Sequence, residues 1–107
     1  MASLSLIVPI YNVAEYLSTT LDSIVRQTLS HFEVILVDDG STDGSREIDE
    51  DFCQQQPHWQ IITQTQQGVS MARNVGTQQA SGDFVAYLDG DDWLCPQTLE
   101  TLLLAAQ

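Results

Sequence analysis

At 107 residues the chain has room for one domain at most, and an apolar content of 43% is enough for a real core, which argues against disorder. Fifteen acidic residues stand against three arginines (Arg26, Arg46, Arg73) and no lysine, a net charge of −12 that repels nucleic acid and anionic membrane. No apolar run approaches the ~20 residues needed to span a bilayer, and the opening Met1–Ile10 lacks the basic start of a secretion signal, so a cytoplasmic protein is expected.

Leu4 to Pro9 is short and almost wholly apolar, which predicts a central strand covered on both faces. From Ala14 the period changes. Leu17, Leu21, Ile24, Val25 and Thr28 recur at three- and four-residue steps, the pattern of an amphipathic helix to about Thr28. Asn12 is the expected N-cap, with Glu15 at capping-box spacing. Phe32–Val37 is a second strand rich in β-branched residues. Asp38 to Ser45 has the chemistry of a turn, and Asp43 or Ser45 is expected to cap a polar helix to about Gln55, with Ile48 and Phe52 on its inner face.

Gln60–Thr63 reads as a third, edge strand, followed by a polar loop, Gln64–Gly68. Val69 to about Ala80 predicts a helix with a small-residue face (Val69, Ala72, Gly76, Ala80), closed by Gly82 as a left-handed cap. Asp83–Leu88 is the fourth strand. Pro96 is expected to begin a last helix with Leu99, Leu102, Leu103 and Ala106 on one face. Cys53 and Cys95 have no CxxC partner and read as buried structural residues. His31 and His58 are isolated, without ligand spacing.

The order is β-α-β-α-β-α-β-α. Such alternation predicts an α/β fold with a mainly parallel sheet, right-handed crossovers and helices on both faces. Ligands in these sheets bind beyond the carboxyl ends of the strands. Asp38-Asp39-Gly40-Ser41 and Asp89-Gly90-Asp91-Asp92 therefore fall on one edge of one sheet. Clustered carboxylates repel one another unless a cation or hydrogen-bond donors compensate. Asp89, Asp91 and Asp92 offer hard oxygen ligands suited to Mg2+ or Mn2+, and the metal would in turn take phosphate oxygens, which explains how a lysine-free chain could hold a diphosphate. Asp38 and Asp39 are placed to accept bonds from neutral donors such as a base N–H or ribose hydroxyls. Arg73 is the one cation near the predicted site.

Neither G-x-G-x-x-G nor G-x-x-x-x-G-K-[ST] occurs, which disfavours dinucleotide oxidoreductases and P-loop NTPases. Asp39-x-Ser41-x-Asp43-Gly44, with Glu50 at the twelfth place, loosely fits a calcium-hand loop, but a strand precedes it where a helix is required. A sugar-phosphate nucleotidyltransferase is an alternative; it would want a glycine-rich basic loop after the first strand, and Ile10-Tyr11-Asn12-Val13 is not one. A non-catalytic acidic α/β module of the receiver type is another, and it would need a lysine at a later strand end.

Val8-Pro9-Ile10-Tyr11-Asn12, Val37-Asp38-Asp39-Gly40-Ser41-Thr42-Asp43, Ala72-Arg73-Asn74-Val75-Gly76 and Leu88-Asp89-Gly90-Asp91-Asp92-Trp93 together resemble the signature blocks of family 2 glycosyltransferases, inverting enzymes of the GT-A fold. The resemblance covers nearly the whole chain. It implies a nucleotide-diphosphate sugar donor, most often a UDP-sugar, and transfer to a hydroxyl of a carbohydrate or lipid-linked acceptor. It places Pro9 and Tyr11 beside the base, Asp39 on the uracil with Asp38 next to it, and Arg73 near base or phosphate. Asp89, Asp91 and Asp92 fall in the D-x-D region that binds ribose and Mn2+ or Mg2+, with Asp91 and Asp92 the expected metal ligands. Gln66-Gln67 stand where the family often has Asn.

Domains of this family run to roughly twice this length. Residues 1–107 thus correspond to an N-terminal, donor-binding part. The acceptor-binding part and the general base are expected outside it, and the chain alone is expected to bind nucleotide weakly without turnover. The family's usual setting implies bacterial cell-surface polysaccharide synthesis, with the full-length protein at the inner face of the membrane. An unfinished sheet would expose an edge and predicts homodimerisation through it.

Overall fold

The structure, a computed structural model, describes residues 3–107, so Met1 and Ala2, the first residues of the expected run-in to the opening strand, lie outside it. The elements are β1 (Leu4–Ile10), α1 (Ala14–Val25), β2 (Glu33–Asp38), α2 (Ser45–Gln55), β3 (Trp59–Thr63), α3 (Val69–Gln79), β4 (Phe84–Tyr87) and α4 (Thr98–Ala106). The four strands form one parallel sheet in the order β3-β2-β1-β4. β1 lies between two neighbours and is buried at every position, which is why its sequence shows no alternation. β3 and β4 are the edges, and they are the shorter, half-buried strands.

The side-chain period of two sends alternate residues of the inner strands to opposite faces. Leu6, Val8, Val34 and Leu36 meet Leu17, Leu21 and Ile24 of α1 and Leu99 and Leu103 of α4, with Ile48 and Phe52 of α2 at the margin. Ile7, Ile35 and Val37 meet α3, through Ala72 and Val75, with Ile62, Ala80 and Val85 at the margin. A Cβ at Gly76 would collide with Ile7 Cγ2, so the absence of a side chain there lets α3 lie directly on the sheet. The expected small-residue face is thus real at Ala72 and Gly76, whereas Val69 is exposed.

Several local expectations are corrected. Asn12 does not cap α1; it has φ 49°, and Val13 takes the N-cap position. The first turn is held from a distance instead, with Asp43 Oδ2 accepting the Ala14 N–H (3.0 Å) and Ser45 Oγ the Val13 N–H (3.1 Å). α1 ends at Val25, and the Thr28 N–H is bound by the Pro96 carbonyl. Gly44, at φ 97°, occupies the N-cap of α2, while Asp43 Oδ1 one residue earlier accepts the Ser45 N–H.

Gly82 is not left-handed. It lies where a Cβ would strike Ser5 and the Leu4 carbonyl carbon, so its role is close approach to β1. α4 starts at Thr98, after Pro96, because Gln27 Oε1 caps it by accepting the Leu99 N–H. Leu102 and Ala106 are exposed; only Leu99 and Leu103 of the expected face are buried. Cys95 is exposed rather than buried, Cys53 is half-buried, and both are free thiols. Among the described residues, no helix is long and apolar enough to cross a membrane.

Candidate donor-binding site

All four strands run in one direction, so Tyr11, Asp38–Ser41 and Asp89–Asp92 leave the sheet at the same edge. The alternation along β2 then separates its two terminal acids. Asp38 follows Val34 and Leu36 to the face of α1 and α2; Asp39 follows Ile35 and Val37 to the face of α3.

Asp39 lines a cavity of about 200 Å3 together with Pro9, Tyr11, Gln66, Val69 and Ala72. Its carboxylate accepts hydrogen bonds from Gln64 Nε2 (2.8 Å), the Gln67 N–H (2.8 Å) and the Gly68 N–H (3.0 Å). Burial works to raise its pKa, but the three donors together outweigh burial and hold the carboxyl below the usual aspartate range. Gly40 makes this possible. It sits at φ 81°, and a Cβ there would press on the Gln66 backbone at 3.1 Å, so the 64–68 loop can close on the turn.

Asp38 lies beneath the cavity and does not line it. It is 2% exposed; its Oδ2 accepts the Ser41 N–H (3.2 Å), and its Oδ1 has no donor.

The second acidic turn is open. Asp89, Asp91 and Asp92 are all exposed, and one carboxylate oxygen from each lies within 4.8 Å of the others. Asp89 Oδ1 accepts a charged hydrogen bond from Arg73 Nη2 (3.3 Å), and the Arg73 guanidinium stands 5.9 Å from the centre of the Tyr87 ring. The side chains of Asp91 and Asp92 accept no hydrogen bond from the described residues, in contrast to Asp89. Three exposed hard-oxygen groups on one short turn, two of them without a donor from the described residues, fit a divalent cation of the Mg2+ or Mn2+ type.

Sequence reasoning missed how this turn is held. Gly90 is buried, and a Cβ on it would strike Val13 Cγ2 at 2.9 Å. The Thr20 hydroxyl reaches the Gly90 carbonyl (2.9 Å) and the Asp92 carbonyl, and Ser23 Oγ accepts the Leu94 N–H (3.1 Å). Thr20 could have been noticed: it is a polar residue on the buried stripe Leu17, Leu21, Ile24. His31 and His58 stand far from these acids, around a cavity of about 280 Å3 with Phe32 and Glu33 at the amino ends of the strands.

The Glycosyl transferase family 2 description matches residues 5–107. The chain belongs to this family. It is 38% identical over 104 residues to a putative glycosyltransferase, EpsH, of Bacillus subtilis, covering 97% of this chain and 30% of that protein. Its fold matches the Staphylococcus aureus TarS fragment 1–349 in complex with UDP, with a TM-score of 0.88 and 33% identity, over 95% of this chain and 31% of that one. It also matches the mannosyltransferase PcManGT of Pyrobaculum calidifontis in complex with GDP-Man and Mn2+, with a TM-score of 0.86 and 29% identity, over 94% and 31% of the two chains. The α/β fold expected from the alternation is therefore the GT-A fold that the resemblance of the signature blocks implies. The chain spans about a third of the length of these three proteins.

Proposed function

We propose that these residues form the donor-binding part of an inverting, metal-dependent glycosyltransferase that takes its sugar from a nucleotide-diphosphate sugar, with UDP as the nucleotide. The observation that carries this reading is the meeting, on one sheet edge, of the cavity of Pro9, Tyr11 and Asp39 with the exposed Asp89, Asp91 and Asp92. The complexes of TarS with UDP and of PcManGT with GDP-Man and Mn2+ support it.

In this reading Tyr11 and Pro9 flank the base. Asp39 keeps the 64–68 loop closed and offers a carboxylate oxygen to the base N–H. Asp38 supports the turn from below. Asp91 and Asp92 would hold the metal; Asp89, steadied by Arg73, stays beside the ribose. A bound Mn2+ or Mg2+ supplies the positive charge that neutralises the diphosphate and its departure. The base that deprotonates the acceptor, and the acceptor pocket for a carbohydrate or lipid-linked hydroxyl, belong to the part of the relatives beyond this span. The setting we infer is bacterial cell-surface polysaccharide synthesis on the cytoplasmic face of the membrane.

Titration calorimetry with UDP tests the reading. Binding is expected to strengthen with Mn2+, and Asp91→Asn is expected to weaken the metal-dependent part by about 10- to 100-fold, the usual range for damage to a metal site. Equal UDP affinity with and without Mn2+ in both proteins would rule the reading out.

A further inference from the structure

Of the buried acids Asp38, Asp39 and Asp49, the last has no part in the donor-binding scheme. Asp49 stands one turn into α2, on the same face as buried Ser45, and is 0% exposed. Neither of its carboxylate oxygens has a donor among the described residues, and Asp38 Oδ1 is in the same condition. A buried carboxylate without a donor is costly, and here two share one layer: Asp38 leaves β2 on the face that α2 covers, Asp49 is buried on α2, and the charge of one disfavours that of the other. The simplest arrangement that satisfies the chemistry is one shared proton.

We propose that Asp49 is a positioning residue for the nucleotide-binding turn: as a neutral carboxyl it donates its proton to Asp38 Oδ1 and so fixes Asp38–Ser41 in the binding form. The proton stays within the pair; no other group is consumed. Asp38 passes this restraint on through three contacts. Its Oδ2 holds the Ser41 N–H, Ser41 Oγ accepts the Asn12 N–H beside Tyr11, and the Asp38 carbonyl accepts the Gln64 N–H at the start of the loop that covers Asp39.

The electrostatic surroundings agree. Burial, then the charges of Asp38 and Glu50, push the Asp49 carboxyl up to about 8. Burial, and then the charge of Asp49, push the neighbouring Cys53 thiol up to about 11, so it is neutral across the relevant range. β1 carries no titratable side chain, and on β2 the other acid, Glu33, is at the far end. α1, packed against α2, carries Glu15, Tyr16 and the Asp22–Arg26 ion pair, none of them buried. No cation stands among these neighbours of Asp49 except Arg26 and Arg46, which are exposed and already paired with Asp22 and Glu50.

Loss of the shared proton would place two charges under the turn and release it. The inference rests on the nucleotide reading above, so its test has a second readout that does not need nucleotide. UDP affinity with Mg2+ is measured at about pH 6.5 and about pH 9 in the unaltered chain, Asp49→Asn and Asp49→Leu. The unaltered chain is expected to weaken by about tenfold more than Asp49→Asn, which keeps a donor but cannot titrate; that variant also cancels the ionisation of UDP itself. Asp49→Leu, with no donor, is expected to bind weakly at both values.

Independently, infrared spectroscopy near pH 7 is expected to show a protonated-carboxyl band that disappears in Asp49→Asn. If UDP binds to none of the proteins while the band is present, the pair stands and the nucleotide reading falls. If the band is absent, or if the unaltered chain and Asp49→Asn follow the same pH course, the proposal is overturned.

Discussion

Asp39 and Asp91 leave the same edge of the same sheet, yet Asp39 is 4% exposed with three donors on its carboxylate, and Asp91 is exposed with none from the described residues. The first turn satisfies its charge internally. Its donors come from the 64–68 loop, so the charge is part of what folds the cavity. The second leaves the charges of Asp91 and Asp92 unmet; beside the Arg73–Asp89 bond, that turn is anchored through its backbone, by Thr20 and by the close fit of Gly90. A carboxylate already engaged by three donors is a poor metal ligand, and one held in place but unsatisfied is a good one. The difference between the turns is thus a division between shaping a pocket and recruiting a cation.

The strongest challenge to this comparison comes through Asp49, which makes the first turn depend on a proton. Unfolded, Asp49 ionises near its ordinary 3.8; folded, near 8. Between these values the unfolded chain has released a proton that the folded chain keeps, so rising pH favours unfolding. The contribution is complete below pH 3.8 and is lost as pH rises through about 8. Urea melts of the unaltered chain should show stability falling with a limiting slope of about 1.4 kcal/mol per pH unit relative to Asp49→Asn. Parallel pH profiles for the two proteins would remove Asp49 from the first turn's account.

Asp39→Asn sharpens the contrast next. The amide NH2 replaces one of the two oxygens, so it stands as a donor against either the Gly68 N–H or the Gln64 and Gln67 donors, and a loss of about 1–3 kcal/mol in urea melts is expected. Because the folded Asp39 carboxyl lies below its usual 3.8, its contribution is present above that value and is lost as pH falls through the folded one. The Asn variant should lack that acid-side decline. If Asp39→Asn is as stable as the parent at pH 7, the first turn is not holding the loop.

Thr20→Val is the smallest of the three. It conserves shape while removing the donor to the Gly90 and Asp92 carbonyls, and about 1 kcal/mol of stability should be lost, together with a weaker response to Mn2+. A stability loss with an unchanged Mn2+ response would show that the second turn holds its acids in place without α1.

Much of the fold was legible because its signals are local and repeated. The uniformly apolar Leu4–Pro9 and Phe32–Val37 could only be inner strands, and the alternation of strand and helix put both acidic turns on one edge. What escaped is non-local. The rule for helix caps selects Asn12, and nothing near residue 14 reveals that Asp43 will take over from the next crossover. Gly82 reads as a helix terminator, although its purpose is contact with Ser5 on a strand 77 residues earlier. Asp49 sits in a polar helix where one more acid is unremarkable, and only the packing of α2 against α1 and the sheet shows that it is buried. At the site, the pattern located the acids but could not say that Asp38 and Asp39 face opposite ways until the register of β2 was known.

The pairing of Leu4 with Phe84 also has a bearing on synthesis. β1 leaves the ribosome before either of its neighbours, and β2 can join it early, but β4 is encoded 80 residues later. At typical translation speeds of about 5–20 residues per second, that side of the most apolar strand stays bare for roughly 4–16 s. The interval is long on the scale of chain collapse, and an unpaired apolar strand is a template for aggregation. The acids that dominate the charge then have a task before any ligand arrives: keeping nascent copies apart until β4 pairs with β1.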